Sequence, residues 1–168
     1  MIRIAAVVIL FVLTPILAWG QEHKLQGFDN LINKTWIAEG EWPNGLVFKQ
    51  EVTFSYDLNK TIVIANSKGF TNKDQTEYGN RNHGIRQYNE ANDRVEFWEF
   101  DVFGGVTTGI VVFKGKDMYY QYTYDDNVFT DYWEYINDDT YKYTVGNYKD
   151  GQWEVIYLET EFKKLENE

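Results

Sequence analysis

Carboxylates and one arginine carry most of the chemistry this sequence could do. Glu99 and Asp101 stand two residues apart in Val95-Glu96-Phe97-Trp98-Glu99-Phe100-Asp101, a spacing that puts both on one face of an extended strand. Glu96 falls on the opposite face with Trp98 and Phe100. Two carboxylates can divide general-acid and general-base work, and a carboxyl buried beside aromatic rings is pushed toward its neutral, proton-donating form. Glu96, Glu99 and Asp101 are the candidate catalytic residues; the plainer reading is that they face water or bond to strand ends. Arg86 lies mid-strand in Gly84-Ile85-Arg86-Gln87-Tyr88, so its side chain points the same way as Tyr88, and Gly84 leaves space beside it. A guanidinium inside a barrel needs a carboxylate, which its fork takes bidentately. Glu99 in the next strand, or a fatty-acid-like ligand, would supply one. Outside a barrel, Arg86 would form only a weak surface pair.

Other chemistries are scarce. The chain has no cysteine, so disulfides, thiolate zinc sites and a cysteine nucleophile are excluded. Its two histidines are His23, expected in a disordered start of the mature chain, and His83, which reads as a hydrogen-bonded structural residue. No H-E-x-x-H, G-x-S-x-G, phosphate loop or EF-hand spacing is present, and no metal or other cofactor is expected. Asp125-Asp126-Asn127 and Asn137-Asp138-Asp139 could offer oxygens to calcium, but both stand where hairpins must turn, and turn chemistry alone accounts for them. Asn33-Lys34-Thr35 and Asn59-Lys60-Thr61 match the glycosylation acceptor pattern, which matters only in a eukaryotic secretory route.

The elements that must position these groups are strands. Turn signals built on Gly, Asn and Asp recur from residue 34 onward, between segments rich in β-branched and aromatic residues. They predict ten strands near 35–42, 46–57, 61–67, 83–90, 94–103, 106–114, 117–124, 128–136, 140–148 and 152–164. Only Leu25 to Asn33 reads as a short helical turn. The stretch from Lys68 to Asn82 reads as a longer loop, a lid or portal over a binding site. Short links make sequential strands pair antiparallel, and a ten-strand meander removes both of its edges by closing. The fold class is all-β, an antiparallel up-and-down barrel. Alternation supports a wall with one apolar face: Leu46, Phe48, Val52, Phe54 and Tyr56 share a side, as do Met118, Tyr120, Tyr122 and Tyr124. Aromatic residues make up 18 % of the chain, more than wall closure needs. They suit a cavity gripping an amphipathic molecule, or else a filled aromatic core with aromatic pairs outside. Trp36, Tyr88 and Trp98 are candidate ligand contacts, with Tyr120, Tyr122, Trp133 and Arg86.

The first twenty residues have the grammar of a signal peptide: Arg3, the apolar run Ile4 to Leu13, Pro15, then Ala18-Trp19-Gly20 before Gln21. Residues 1–20 are expected to be removed, leaving 21–168 as one exported domain, secreted or periplasmic, without a membrane anchor. The acidic excess is one-sided. Residues 21–88 hold eight charges of each sign, whereas 89–168 hold seven basic and eighteen acidic. A formal charge of −10 argues against a nucleic-acid partner. It suits a solvated acidic exterior or a patch for cations or a basic partner.

The Leu-rich turn leading into Thr35-Trp36 resembles the opening of lipocalins, whose tryptophan plugs one barrel end. Ten strands resemble fatty-acid-binding and nitrobindin-type barrels. Gly84 to Asn89, Val95 to Asp101 and Gly109 are similar to uncharacterised secreted bacterial lipocalin-like domains, all within the calycin superfamily. Asn33-Lys34 stands where that family has glycine, and Phe162-Lys163-Lys164 lacks the arginine that lipocalins stack on the tryptophan. Nitrobindin-type barrels hold haem through a late histidine; with none after His83, haem by that route is excluded. The resemblance implies an interior that binds a small hydrophobic or amphipathic molecule. The alternatives are a barrel enzyme (isomerase, cyclase or hydrolase) using an interior carboxylate, and a filled-core structural or interaction domain.

Overall fold

The computed structural model describes residues 23–124 and 127–166. The leader and the Asp125-Asp126 pair lie outside the described residues. Ten strands follow in chain order: β1 (Thr35–Glu41), β2 (Val47–Asp57), β3 (Ile62–Phe70), β4 (Tyr78–Asn89), β5 (Arg94–Asp101), β6 (Val106–Lys114), β7 (Asp117–Tyr124), β8 (Asn127–Asn137), β9 (Thr140–Lys149) and β10 (Gln152–Lys164). Each pairs antiparallel with its neighbours in sequence, and β1 also pairs with β10, so the sheet is a closed barrel. The closing seam is thin, with only Trp36 opposite Lys164 and Ile37 opposite Lys163. It is reinforced by Leu165 N donating to Thr35 O at 2.8 Å.

Hairpin chemistry places the turns. Asp150 and Gly151 both adopt positive φ, as a two-residue turn matching the strand twist requires. Leu58, Asn59 and Lys60 form a tight 3₁₀ turn in which all three are left-handed, and the Asp57 carboxylate accepts from Leu58 N.

One end of the barrel is stoppered by the chain before β1. A single 3₁₀ turn, Gln26–Phe28, drops Leu25, Phe28 and Leu31 into the core, each essentially without exposure. Burying each is worth about 1.5–3 kcal/mol. Phe28 meets Phe113 edge-on at 5.0 Å, and Asn33 N donates to Phe54 O at 2.9 Å. Trp36 lies beneath this plug, wholly buried, its indole N–H on Leu31 O at 3.3 Å. Lys34 sets its ammonium 5.5 Å from the Trp36 ring. His23, expected in a disordered start, is instead ordered: it packs edge-on against Tyr56 at 4.9 Å, with Nε2 3.3 Å from Asp29 Oδ1.

The long loop expected between Lys68 and Asn82 is mostly strand. Gly69 pairs with Gly79 and Phe70 with Tyr78, which leaves a connection of 71–77 held by Asn72 accepting from Thr76 N and Glu77 N. The ladder slips one residue near Ser67 and Lys68, leaving Arg81 as a bulge and breaking the period-two pattern. His83 is therefore mid-strand, with Nδ1 2.7 Å from Asn66 Oδ1.

The aromatic excess is divided between the two faces. Inside, Trp133 stacks on Phe162 at 4.2 Å. Outside, Tyr119 stacks on Tyr132 at 4.2 Å, and Trp153 packs against Tyr148 at 4.9 Å.

Candidate functional site

Opposite the plug the barrel opens, and polar side chains converge below its mouth. From β4, Arg86 points inward and is only 6 % exposed. Its Nη2 lies 2.8 Å from Glu99 Oε2 on β5, and its Nε donates to the Tyr120 hydroxyl on β7 at 3.2 Å. The guanidinium also lies near the rings of Tyr120, Phe54 and Phe97, at 5.3, 5.9 and 6.0 Å. Inward Gly84 makes the pairing feasible, since a methyl there would collide with both Arg86 Nη1 and Glu99 Oε2.

Asp131 on β8 completes the cluster. Tyr122 donates to its Oδ1 at 3.0 Å and Tyr143 on β9 to its Oδ2 at 2.8 Å. Burial pushes the Asp131 carboxyl up to about 6, the nearby Glu99 charge adds to this, and the two phenol hydrogen bonds oppose it. Burial likewise raises the Tyr120 and Tyr143 phenols, so they stay protonated and can donate at neutral pH. Glu99 Oε2 and Arg86 Nη1 are buried without a well-directed hydrogen bond.

These groups line a cavity of about 230 Å³ with Val52, Phe54, Phe97, Trp133 and the polar tips of Gln50, Asn82 and Thr107. Two further hollows share its lining. One, of about 300 Å³, reaches Trp42, Phe48 and Arg81; the other, of about 560 Å³, runs between Trp42, Tyr124, Phe129 and Tyr157. A larger depression of about 840 Å³ lies on the outside along the seam, and its charges are already matched, as in Lys49–Glu39 at 2.5 Å and Lys142–Glu159 at 2.8 Å. The chemistry converges in the interior instead. Among the described residues, no three His, Asp or Glu side chains gather as a metal-ligand set.

No protein-family model matches the chain, and no curated protein matches its sequence.

Of the residues singled out from sequence, Arg86, Glu99, Tyr120, Tyr122 and Trp133 meet at the cavity. Trp36 belongs to the plugged end instead. Tyr88 points inward, but its hydroxyl bonds Asp93 in the β4–β5 turn and Lys24 sits over its ring, so it too lies at the closed end. Trp98 and Glu96 alternate with buried Val95 and Phe97 and face outward. Glu96 accepts from Asn89, Arg94 and Asn92, which hold its carboxyl below the usual range, the reverse of a buried acid with a raised pKa. Asp101 is consumed by the β5–β6 turn, accepting from Phe103 N and Gly105 N at 2.8 Å each, and does not pair with Glu99. Asp138 and Asp139 pair with Lys116 and Lys164 across their turn. Asp131 and Tyr143 were missed. The signal for Asp131 was an acid at an inward position between Phe129 and Trp133.

Proposed function

We propose that the chain is an exported barrel of calycin type that binds a small, largely apolar molecule in its interior. The observation that carries this reading is the asymmetry of the barrel: one end is plugged by Leu25, Phe28 and Leu31, and the other opens on aromatic-lined hollows above a buried polar cluster. A filled-core domain would have no reason to gather a buried Arg86 and two half-buried carboxylates around an open space of about 230 Å³. Aromatic walls with a few convergent polar groups are the usual make-up of a small-molecule site.

The test is native mass spectrometry of protein recovered from a secreting host, followed by titration with neutral aromatic probes. A co-purified small molecule, or saturable uptake of a neutral probe, is expected. Bare protein that takes up no probe would overturn the reading. The same spectra check export, since the chain should begin at Gln21, and full-length chain in the membrane fraction would refute it.

An enzymatic reading is favoured by one observation, the Asp131 carboxyl lining the cavity with the Tyr122 and Tyr143 phenols on its two oxygens, where burial pushes it up toward the range suited to proton transfer. Recovery of a bound molecule chemically changed after incubation would select it over simple binding.

A further inference from the structure

The charges around the interior cavity do not balance. Arg86 is its one cation, set against two carboxylates, Glu99 and Asp131; the other polar lining groups, Gln50, Asn82, Thr107 and the three tyrosines, are neutral. Arg86 is already committed to Glu99 through Nη2 and to Tyr120 through Nε. Among the described residues, Asp131 has only phenol partners and forms no ion pair. A second guanidinium, Arg81, stands at the mouth, but it donates to Phe70 O and lies 5.1 Å from the Phe103 ring. An incoming carboxylate would find only Arg86 Nη1 without a partner, and would face both Glu99 and Asp131 there. A cation would meet two carboxylates, of which Glu99 is already paired with Arg86 and Asp131 is not.

We propose that this site takes a small molecule with an aromatic or apolar body and one protonated amine, the ammonium seated against Asp131 and Glu99. The inference rests on the interior-binding reading above and adds the charge of the ligand to it. Size points to a body of one ring, because a space of about 230 Å³ falls below the range of roughly 300–1,000 Å³ typical of drug-sized ligands. The ammonium donates to the free lone pairs of the Asp131 carboxylate and to the Glu99 carboxylate, whose Oε2 already lies 2.8 Å from Arg86 Nη2. The groups that face Asp131 from neighbouring strands are Tyr120 and Tyr122 on β7, Tyr143 on β9, Glu99 on β5 and Arg86 on β4. Burial pushes the Asp131 carboxyl up to about 6, so uptake of the amine should weaken as pH falls through that value.

The experiment is calorimetric titration with three probes of one shape and different charge: 2-phenylethylamine, 2-phenylethanol and 3-phenylpropionate. At pH 8 the amine should bind at least about tenfold tighter than the alcohol, with the carboxylate weakest. Asp131→Asn should lose most of the preference for the amine over the alcohol. Should that variant fail to fold by circular dichroism, wild-type titrations at pH 8 and pH 5 serve instead, with amine affinity falling and alcohol affinity unchanged. Equal binding of amine and alcohol, or tighter binding of the carboxylate, overturns the inference while leaving interior binding intact. Binding of no probe overturns both.

Discussion

The Arg86 guanidinium meets the Glu99 carboxylate at 2.8 Å over the bare backbone of Gly84, the residue directly opposite Glu99 in the β4–β5 ladder. Removing one partner strands a charge in the barrel, whereas removing both does not. Glu99→Met should therefore cost about 3 kcal/mol, the low end for a buried pair because Glu99 keeps some solvent contact. Arg86→Met with Glu99→Met together should cost clearly less than the two single changes summed. Urea unfolding of the four proteins checks this, and additive losses would show that the pair is not coupled.

Trp36 seals the plugged end, in edge contact with Tyr141 at 5.3 Å and wholly buried. Trp36→Ala should lower stability by about 3–5 kcal/mol through the cavity it leaves. Denaturant titration followed by far-ultraviolet circular dichroism measures it. A loss below about 1 kcal/mol would contradict the packing described.

Asp131 gives stability a distinctive pH dependence. Burial raises its carboxyl from 3.8 to about 6, so between those values the folded chain holds a proton that the unfolded chain has released. Stability then falls as pH rises through that window and stays lower above it. Measured against Asp131→Asn, which cannot titrate, the wild type should lose roughly 2 kcal/mol from pH 4 to pH 7, allowing for partial solvent screening. Parallel profiles for the two proteins would show that Asp131 is not desolvated.

Leu58 is an exposed leucine held at φ 46° in the turn between β2 and β3. Left-handed backbone costs a leucine roughly 1–2 kcal/mol, and asparagine tolerates it better. Leu58→Asn should raise stability by about 0.5–1 kcal/mol, seen as a higher urea midpoint with unchanged slope.

Strand number, hairpin order and closure were legible in the sequence because the signals are local. Alternation declares which side chains share a face, and Gly, Asn and Asp at fixed intervals declare where the chain reverses. The meeting of Arg86 and Glu99 was within reach for the same reason, since one hairpin joins their strands. The signal failed where a local rule was broken. The bulge at Arg81 hid the ends of β3 and β4 inside an apparent loop, and the Asn89-Asn92-Arg94 turn turned Glu96 from a candidate buried acid into a capped surface one.

Asp131 belongs to the tertiary structure. Its neighbours in sequence say that it points inward, but they do not say what it faces. Closure of β1 on β10 wraps β8 and β9 around to face β4 and β5, setting Asp131 in the field of Glu99 and behind the phenols of Tyr122 and Tyr143. Its raised pKa and the excess negative charge of the cavity come from desolvation and Coulomb interaction between strands remote in the chain. Those quantities depend on distance through the barrel interior, which exists only once the barrel has closed.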